Sequence, residues 1–244
     1  YWHGEPRRAE PFYEECLAIR RASGDSAAIA HACYNLSFCF IVGGMHDATG
    51  RTRALTLLEE ALERYRALDD DRGTANALWG IGCARYFLND NEGAIVPLEE
   101  SLELYRKVGD RTQEGWALHQ LGSAKLKLGE REAARTMLRD GLRLFREAGD
   151  LAGVTVILDD LSASAVADED LVRGARLHGL ARRLQQTSGT DLARYIEEAF
   201  EEQSRRSARQ VMSAEELARH AAEGRAMTLD DGVRYALGEG QPEG

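Results

Sequence analysis

The sequence predicts an all-α fold, a right-handed helical-repeat solenoid with a C-terminal helical cap, and two observations support this prediction. First, one pattern recurs at an offset of forty residues: Leu78–Arg85 matches Leu118–Lys125, and Leu98–Arg106 matches Leu138–Arg146. A fixed offset across two helical patterns is typical of a helical repeat array. Second, the 244 residues include only four prolines, so long helices can continue without interruption.

Composition and charge argue against several classes of protein. Acidic residues outnumber basic residues by 41 to 31, and the formal net charge is −10. An acidic surface repels phosphate backbones, which argues against a nucleic-acid partner. No apolar run approaches the roughly twenty residues that a membrane-spanning helix needs, so we expect a cytoplasmic protein without a membrane partner. No GxxxxGK[ST] phosphate-binding loop occurs in the sequence.

The four cysteines form neither a CxxC pair nor the spacing of a zinc site. We interpret Cys16, Cys33, Cys39 and Cys83 as buried, reduced thiols, because free cysteine packs as a small hydrophobic residue. His31 lies close to Cys33 in sequence, but a metal site needs three or four converging ligands. We therefore expect no metal and no cofactor.

The forty-residue alignment can also be extended to the start of the chain. Extended backwards, it sets Gly24 under Gly109 and Tyr1 under Tyr86. In this register the sequence begins on the last residues of a first-position helix. A helix pair cannot bury its apolar face without its partner. We expect this sequence to be part of a longer protein with further repeats upstream.

Three complete repeats follow, each with two predicted helices. Apolar residues such as Leu58, Leu62 and Tyr65 recur at helical spacing within them. A turn over Gly43–Gly50 is longer than its counterparts and separates the first pair. The predicted pairs are His31–Val42 with Arg53–Leu68, Thr74–Leu88 with Glu92–Val108, and Gln113–Leu128 with Glu130–Ala148.

Residues at the hairpin tips and glycines inside the helices predict local geometry. Asn89 and Gly129 stand at hairpin tips, where a left-handed residue is needed to end the first helix. Gly82 and Gly122 stand inside helices, where glycine costs roughly 1 kcal/mol relative to alanine. Close approach of the paired helix is the simplest compensation, because a side chain at that position would hold the two backbones apart.

The fourth repeat departs from the pattern. Helices are predicted over Val154–Val166 and Leu171–Gln186, but Ser162 replaces the internal glycine, as in a terminal capping unit. We therefore divide the chain into helical repeats over residues 1–187, the first of them incomplete, and a C-terminal helical cap and tail over residues 188–244.

Three helices are predicted in the cap. Leu192–Gln210 is the first, and its acidic start and basic end suit the helix dipole. Ser213 and Glu216 form a capping-box pattern that opens a second helix, predicted to end near Ala222 before a break over Glu223–Met227. A last short helix is predicted to follow the break and to end near Leu237.

The forty-residue units resemble elongated tetratricopeptide repeats. The resemblance lies in the Leu-x-x-Leu-Gly core, as at Leu118 to Gly122, and in an alanine that follows the turn, at Ala94 and Ala134. The units are longer than the typical repeat of about 34 residues, and they end in Gly-Asp rather than proline.

A second resemblance lies at the C-terminal end. Gly224–Leu237, with Leu177–Leu184 before it, resembles the end of bacterial STAND-type signal-transduction ATPases and LuxR-type (LAL-like) transcriptional regulators. In that family an ATPase module precedes a helical-repeat sensor. Some members carry a LuxR-type DNA-binding domain, and others carry a cyclase or an N-terminal DNA-binding domain. The resemblance implies a sensor region linked to an ATPase module upstream in the same chain.

The tetratricopeptide resemblance also implies a binding groove, because first-position helices line the concave face of such arrays. Groove positions are counted along the helix from Gly122, and the forty-residue offset gives the equivalent positions in the other repeats. Large apolar groups with a few polar ends suit a binding groove. Alternatively, Tyr34 and Trp79 pack against neighbouring helices or against C-terminal helices that fold back. The predicted groove residues are His31, Tyr34, Phe38, Asn76, Trp79, Cys83, Tyr86, Trp116, His119, Ser123 and Asp159.

Three functions remain open at this point. The first is a regulatory module whose groove binds a protein segment or a small effector and controls the linked ATPase. The second is a free-standing scaffold for protein partners, and homo-oligomerisation is compatible with either. The third is an unrecognised hydrolase, for which Asp159 or His119 would be essential. The carboxylates of Asp159–Asp160 and Asp168–Asp170 are the candidate acid/base groups. Helix capping and solvated turns explain these carboxylates more simply, so we expect no catalytic residue.

Overall fold

The computed structural model describes residues 6–43, 48–188 and 212–239, and these ranges contain helices and no strand. The predicted fold class, an all-α helical-repeat solenoid, is confirmed. The predicted helix Leu192–Gln210 lies outside the described residues. The helices are α1 (Pro6–Ser23), α2 (Ser26–Gly43), α3 (Ala48–Ala67), α4 (Asp71–Phe87), α5 (Asn91–Val108), α6 (Arg111–Lys127), α7 (Arg131–Ala148), α8 (Leu151–Ala167), α9 (Leu171–Ser188), α10 (Ala214–Ala226) and α11 (Leu229–Leu237).

The chain forms two compact units, Tyr1–Gly129 and Glu130–Gly244. In the first unit each helix from α1 to α5 packs against the next, and the first-position helices α2, α4 and α6 also contact their neighbours of the same kind. In the second unit α8 packs against α7 and α9, α10 packs against α9, and α11 contacts α7 and α9. The division predicted between residues 187 and 188 follows the end of the repeat pattern and stays a prediction.

The first-position helices begin earlier than predicted because aspartates cap them. The backbone N–H of Gln113 donates to Asp110 Oδ1 at 3.2 Å, so α6 begins at Arg111 rather than at Gln113. Asp70 and Asp150 cap α4 and α8 in the same way. Aspartate is favoured at this position because its carboxylate accepts a hydrogen bond from the otherwise unpaired N–H groups of the first turn.

The turns between helices hold left-handed residues. Asn89 and Gly129 have φ angles of 62° and 82°, which confirms the prediction for both hairpin tips. Asp69 and Glu169 also adopt positive φ angles, 52° and 65°, without the conformational freedom of glycine. A left-handed residue is therefore kept at these junctions even where its side chain does not favour it.

Close contact between paired helices explains the internal glycine. A Cβ atom at Gly82 would lie 2.4 Å from Cγ of Leu98 in α5, closer than real carbon atoms approach, so the predicted close approach is confirmed at Gly82 and stays a prediction at Gly122. The same pair of helices is tied by polar bonds. Ser101 Oγ donates to the carbonyl oxygen of Ala75 at 3.0 Å within this buried interface.

A glycine in each helix, Gly179 in α9 and Gly224 in α10, faces the backbone of the other helix and allows the two helices to cross at short distance. A Cβ at Gly179 would lie 2.0 Å from the carbonyl oxygen of Ala221, and a Cβ at Gly224 would lie 1.9 Å from that of Arg176. Gly224 is therefore an interior packing residue of α10, and the break predicted after Ala222 is wrong because the helix continues to Ala226.

The predicted capping box at the start of α10 is confirmed. The Ser213 side chain accepts a hydrogen bond from the backbone N–H of Glu216, and the Glu216 carboxylate accepts one from the backbone N–H of Ser213. Two otherwise unpaired donors are satisfied in this way, which fixes where the helix begins.

Helix α11 is held at both ends by arginines of α7 and α9. Arg173 Nη2 donates to the carbonyl oxygens of Tyr235 and Ala236 at 3.1 and 2.9 Å. A positive charge at this end suits the helix dipole. At the other end Arg146 forms an ion pair with Asp230 at 2.8 Å. A nine-residue helix is marginal in water on its own, so these contacts and its buried apolar face hold it in place.

Candidate functional site

Five rings on three successive first-position helices are connected by ring contacts and one hydrogen bond, and we call this set the aromatic wall: Tyr34, Phe38, Trp79, Trp116 and His119. Tyr34 and Phe38 of α2 meet edge to face, with ring centroids 5.0 Å apart. Phe38 stacks on Trp79 of α4 at 5.7 Å and an interplanar angle of 21°. In α6, Trp116 and His119 meet edge to face at 5.8 Å. The whole wall belongs to the first unit.

One hydrogen bond joins the two halves of the aromatic wall. The indole N–H of Trp79 donates to the carbonyl oxygen of Trp116 at 3.3 Å, across the contact of α4 with α6. A partly buried indole N–H usually needs such a partner. The bond fixes the orientation of the Trp79 ring. The sequence predicted the succession of Tyr34, Trp79 and His119, and the structure links them through Phe38 and Trp116.

The predicted groove residues differ in burial. Phe38, Cys83, His119 and Ser123 are buried, with exposed fractions of 5, 3, 7 and 5%. His31 is exposed, whereas the half-buried residues are Tyr34, Asn76, Trp79, Tyr86, Trp116 and Asp159. Tyr34 and Trp79 also pack against the hydrophobic core of the first unit. The half-buried and exposed residues are the ones that a partner could touch.

Several predicted residues are engaged in polar contacts with neighbouring residues. Tyr105 Oη donates to Asn76 Oδ1 at 2.7 Å, and Ser123 Oγ donates to the carbonyl oxygen of His119 at 2.9 Å. Cys83 Sγ lies 3.6 Å from Gln120 Oε1, which accepts its hydrogen bond. These contacts position the base of the aromatic wall, and they give Asn76 and Ser123 a structural role in addition to the predicted one.

The environment of the buried thiols makes them poor nucleophiles. Burial raises the pKa of Cys33 and of Cys39 to about 11, and nearby Glu60 and Glu10, respectively, act in the same direction. Burial also raises the pKa of Cys83. A thiolate is the reactive and metal-binding form of cysteine, so these three side chains are inert at neutral pH.

Asp159 lies in the second unit, on α8. Arg182 Nη2 of α9 donates to Asp159 Oδ2 at 2.6 Å, and His178 Nδ1 lies 3.9 Å from Oδ1. The carboxylate is therefore part of an ion pair between two packed helices. Its predicted place in succession with Trp79 and His119 stays a prediction.

The other acidic residues considered as catalytic groups have structural partners. Asp168 forms ion pairs with Arg131 and Arg135. Asp170 accepts a hydrogen bond from the backbone N–H of Arg173 at 3.1 Å, in the first turn of α9. Within residues 6–43, 48–188 and 212–239, no group of three or more His, Cys, Asp and Glu side chains is placed to hold a metal ion.

Membrane insertion has no support among the helices of the described ranges. None of them combines the length and the apolar composition that a bilayer crossing requires.

Comparison with protein families identifies the repeat class. Residues 42–107 match one tetratricopeptide repeat family model, and residues 115–148 match a second. The chain contains a tetratricopeptide-repeat region. Trp79, Trp116 and His119 lie within the matched residues, and Tyr34 and Phe38 lie just before them. Repeats of this class serve as scaffolds for protein–protein interaction.

A solved structure shows the same fold. The crystal structure of BtubC (BKLC) from P. vanneervenii is similar to this chain with a TM-score of 0.64 and 18% sequence identity, and the similarity covers 91% of each chain. At this identity the likeness extends to the fold alone. Comparison with curated protein sequences gives no match.

Proposed function

We propose that the tetratricopeptide-repeat region binds a segment of a protein partner along the aromatic wall and acts as the sensor module of a longer signalling protein. The observation that supports binding is the series of contacts from Tyr34 to His119 across three helices. Ring contacts join Tyr34, Phe38 and Trp79, and a hydrogen bond from Trp79 to the Trp116 backbone links them to the ring pair of α6. Indole rings supply a large share of the energy at many protein interfaces, and the two tryptophans of this wall are half-buried.

The hydrogen bond and the ring contact of Trp79 suit a residue of a binding surface. Its one polar atom already donates to the Trp116 carbonyl, and one face of its ring rests on Phe38. The other side-chain atoms of this half-buried residue are apolar, so a partner can cover the ring without breaking that hydrogen bond. Covering such surface is favourable, because apolar area is removed from water while no buried donor is left unpaired.

The regulatory part of the proposal rests on the C-terminal resemblance. The two segments that carry it, Leu177–Leu184 and Gly224–Leu237, pack together, since a Cβ at Gly232 would lie 2.1 Å from Cδ2 of Leu180. They therefore form one local structure rather than two unrelated matches. On this proposal, occupation of the aromatic wall by a protein segment or a small effector controls an ATPase module in the same polypeptide.

A free-standing scaffold is the second candidate, because the family matches alone support an interaction scaffold. The full-length reading frame separates the two candidates. An ATPase module upstream, whose ATP hydrolysis changes when the partner binds, would support the sensor. A complete protein that consists of repeats alone would support the scaffold.

The experiment that tests binding is the Trp79→Ala variant. We expect affinity for a partner, first identified by co-purification, to fall by about 2 kcal/mol or more. Helical content should stay nearly unchanged. Because Trp79 is only half-buried, we expect its loss to cost less than the roughly 3–5 kcal/mol typical of a fully enclosed aromatic side chain.

Trp79→Phe is the matched control, because it keeps an aromatic ring against Phe38 and loses the donor to Trp116 together with part of the indole ring area. Calorimetry gives the affinity of each variant, and circular dichroism during thermal unfolding gives its stability. The proposal would be refuted if the alanine variant bound the partner as tightly as the parent protein does. It would also be refuted if the variant, measured without a partner, lost the roughly 3–5 kcal/mol of stability typical of a fully enclosed aromatic side chain.

A further inference from the structure

We infer that the partner segment that occupies the aromatic wall is uncharged and rich in aromatic or other apolar side chains. This inference rests on the proposed function and adds the chemistry of the partner. It follows from where charged side chains are placed around the wall.

The helices that carry the wall lack charged residues over long stretches. All 18 residues of α2 lack Asp, Glu, Lys and Arg. The same is true of residues 73–84 of α4 and 115–124 of α6. Most residues of these stretches are buried, and those that reach the surface in α4 and α6 are Asn76, Trp79 and Trp116, all uncharged. In a chain in which 30% of residues are charged, the three stretches side by side therefore present a neutral strip where they reach the surface. The aromatic wall lies on this strip.

Three ion pairs lie at the starts of α4 and α6. Lys107 Nζ lies 2.7 Å from Asp71 Oδ2, and Arg72 Nη1 lies 3.0 Å from Asp110 Oδ2. The carboxylate of Glu114 in the first turn of α6 accepts from Arg106 at 2.9 Å. At this end of the strip, a charged group on the partner would have to compete with these ion pairs to find a counter-charge. At the other end Arg85 donates to the carbonyl oxygen of Gly93 at 2.8 Å, so an acidic partner group would have to displace that bond.

A neutral segment therefore matches the wall better than a charged one. Moving a charge from water onto ring surface without a counter-ion is unfavourable, whereas covering apolar surface is favourable. A basic segment is the strongest competitor, since the net charge of −10 attracts it and tryptophan faces bind cations. Attraction at long range is screened by salt, so ionic strength separates the two kinds of partner.

Selection from a random peptide library tests the inference on the whole 244-residue protein. Displayed short peptides are selected for binding, and each binder is then tested against Trp79→Ala and, as a second variant, Tyr34→Ala. Circular dichroism confirms that each variant is folded. Peptides that bind the parent protein and lose about tenfold or more in affinity to a folded variant are the wall-dependent binders.

We expect wall-dependent binders to be enriched in Phe, Tyr, Trp, Leu and Pro and depleted in Asp, Glu, Lys and Arg. Their dissociation constants should change by less than about twofold between low salt and about 0.5 M salt. Wall-dependent binders rich in basic or acidic residues, or affinities that fall by about tenfold in salt, would overturn the inference while leaving binding at the wall intact. A selection without any wall-dependent binder would overturn the proposed function as well.

Discussion

Leu121 is 1% exposed in α6 and holds the repeat position that Ile81 holds in α4. Removing most of its side chain leaves a cavity that the surrounding helices fill only in part. We therefore expect Leu121→Ala to lower the free energy of unfolding by about 2–5 kcal/mol. The repeat register assigns this residue to the core, so its effect tests that register directly.

Urea unfolding followed by circular dichroism measures the effect of Leu121→Ala. Val96→Ala is the matched control, because Val96 is 70% exposed on α5 and its truncation should change stability by less than about 0.5 kcal/mol. Equal unfolding midpoints for the two variants would show that the register is wrong.

Glu169 provides a test of backbone strain, with φ at 65° in the turn between α8 and α9. A side chain in the left-handed region costs roughly 1–2 kcal/mol, and glycine avoids that cost but loses more backbone entropy on folding. We expect Glu169→Gly to stabilise the second unit by about 0.5–1 kcal/mol as the balance of the two effects.

Gly149→Ala is the reverse substitution and the matched control for Glu169→Gly. Its φ is 69° and no atom lies within 4 Å of a built Cβ, so backbone conformation alone decides the outcome. We expect a loss of about 1 kcal/mol in thermal or urea unfolding. If both changes moved stability in the same direction, left-handed strain would not be their common cause.

Single residues show where prediction from the sequence succeeds and where it stops. Asn89 and Gly129 were predictable as left-handed residues, because both types tolerate positive φ and both occupy hairpin tips. The burial of Cys83 was expected for a free thiol, but that of His119 was not predictable. Repeat spacing fixes the position of a residue around its helix, whereas burial depends on how closely α4 and α6 approach and on which side chains lie between them.

At the scale of helices, the crossing of α9 and α10 gives a test in which two effects have opposite signs. Alanine favours a helix over glycine by about 1 kcal/mol, so propensity alone predicts that Gly224→Ala stabilises α10. Packing predicts the reverse, because the added Cβ would lie 1.9 Å from the carbonyl oxygen of Arg176, a backbone atom that cannot rotate away. We expect packing to dominate and α10 to separate from α9.

Hydrogen exchange of the α10 amides measures this separation, and we expect their protection to fall in Gly224→Ala. Arg225→Ala is the control on the same turn, because Arg225 is exposed and its truncation should leave protection unchanged. Increased protection in Gly224→Ala would mean that the two helices can move apart at little cost.

The first and last residues of the helices were harder to predict than the presence of the helices. The offset of forty residues located every second-position helix from α5 to α9, but the first-position helices began earlier than their apolar patterns suggested. The capping aspartates Asp70, Asp110 and Asp150 set those starts, and their place after a Gly or Asp residue was visible in the sequence. Gly224 misled the prediction because glycine has two roles, ending a helix or allowing another backbone to approach.

For the whole molecule, charge decides the class of partner more directly than fold does. The net charge of −10 is distributed over a chain in which many basic side chains already have acidic partners, such as Arg182 with Asp159 and Arg131 with Asp168. Phosphate binding requires cationic groups that can replace the counterions of the nucleic acid. Paired arginines on an acidic molecule would have to give up their carboxylate partners first.

We therefore expect this chain alone not to bind duplex DNA at physiological salt. An electrophoretic mobility shift with a random-sequence duplex measures this, and a repeat of the assay at low salt makes it stringent, because weak phosphate contacts strengthen as salt is removed. A tight shift whose affinity falls steeply with salt would contradict the expectation. It would also point to a cationic surface, and the neutral strip that carries the aromatic wall would then not be the main interaction surface of this chain.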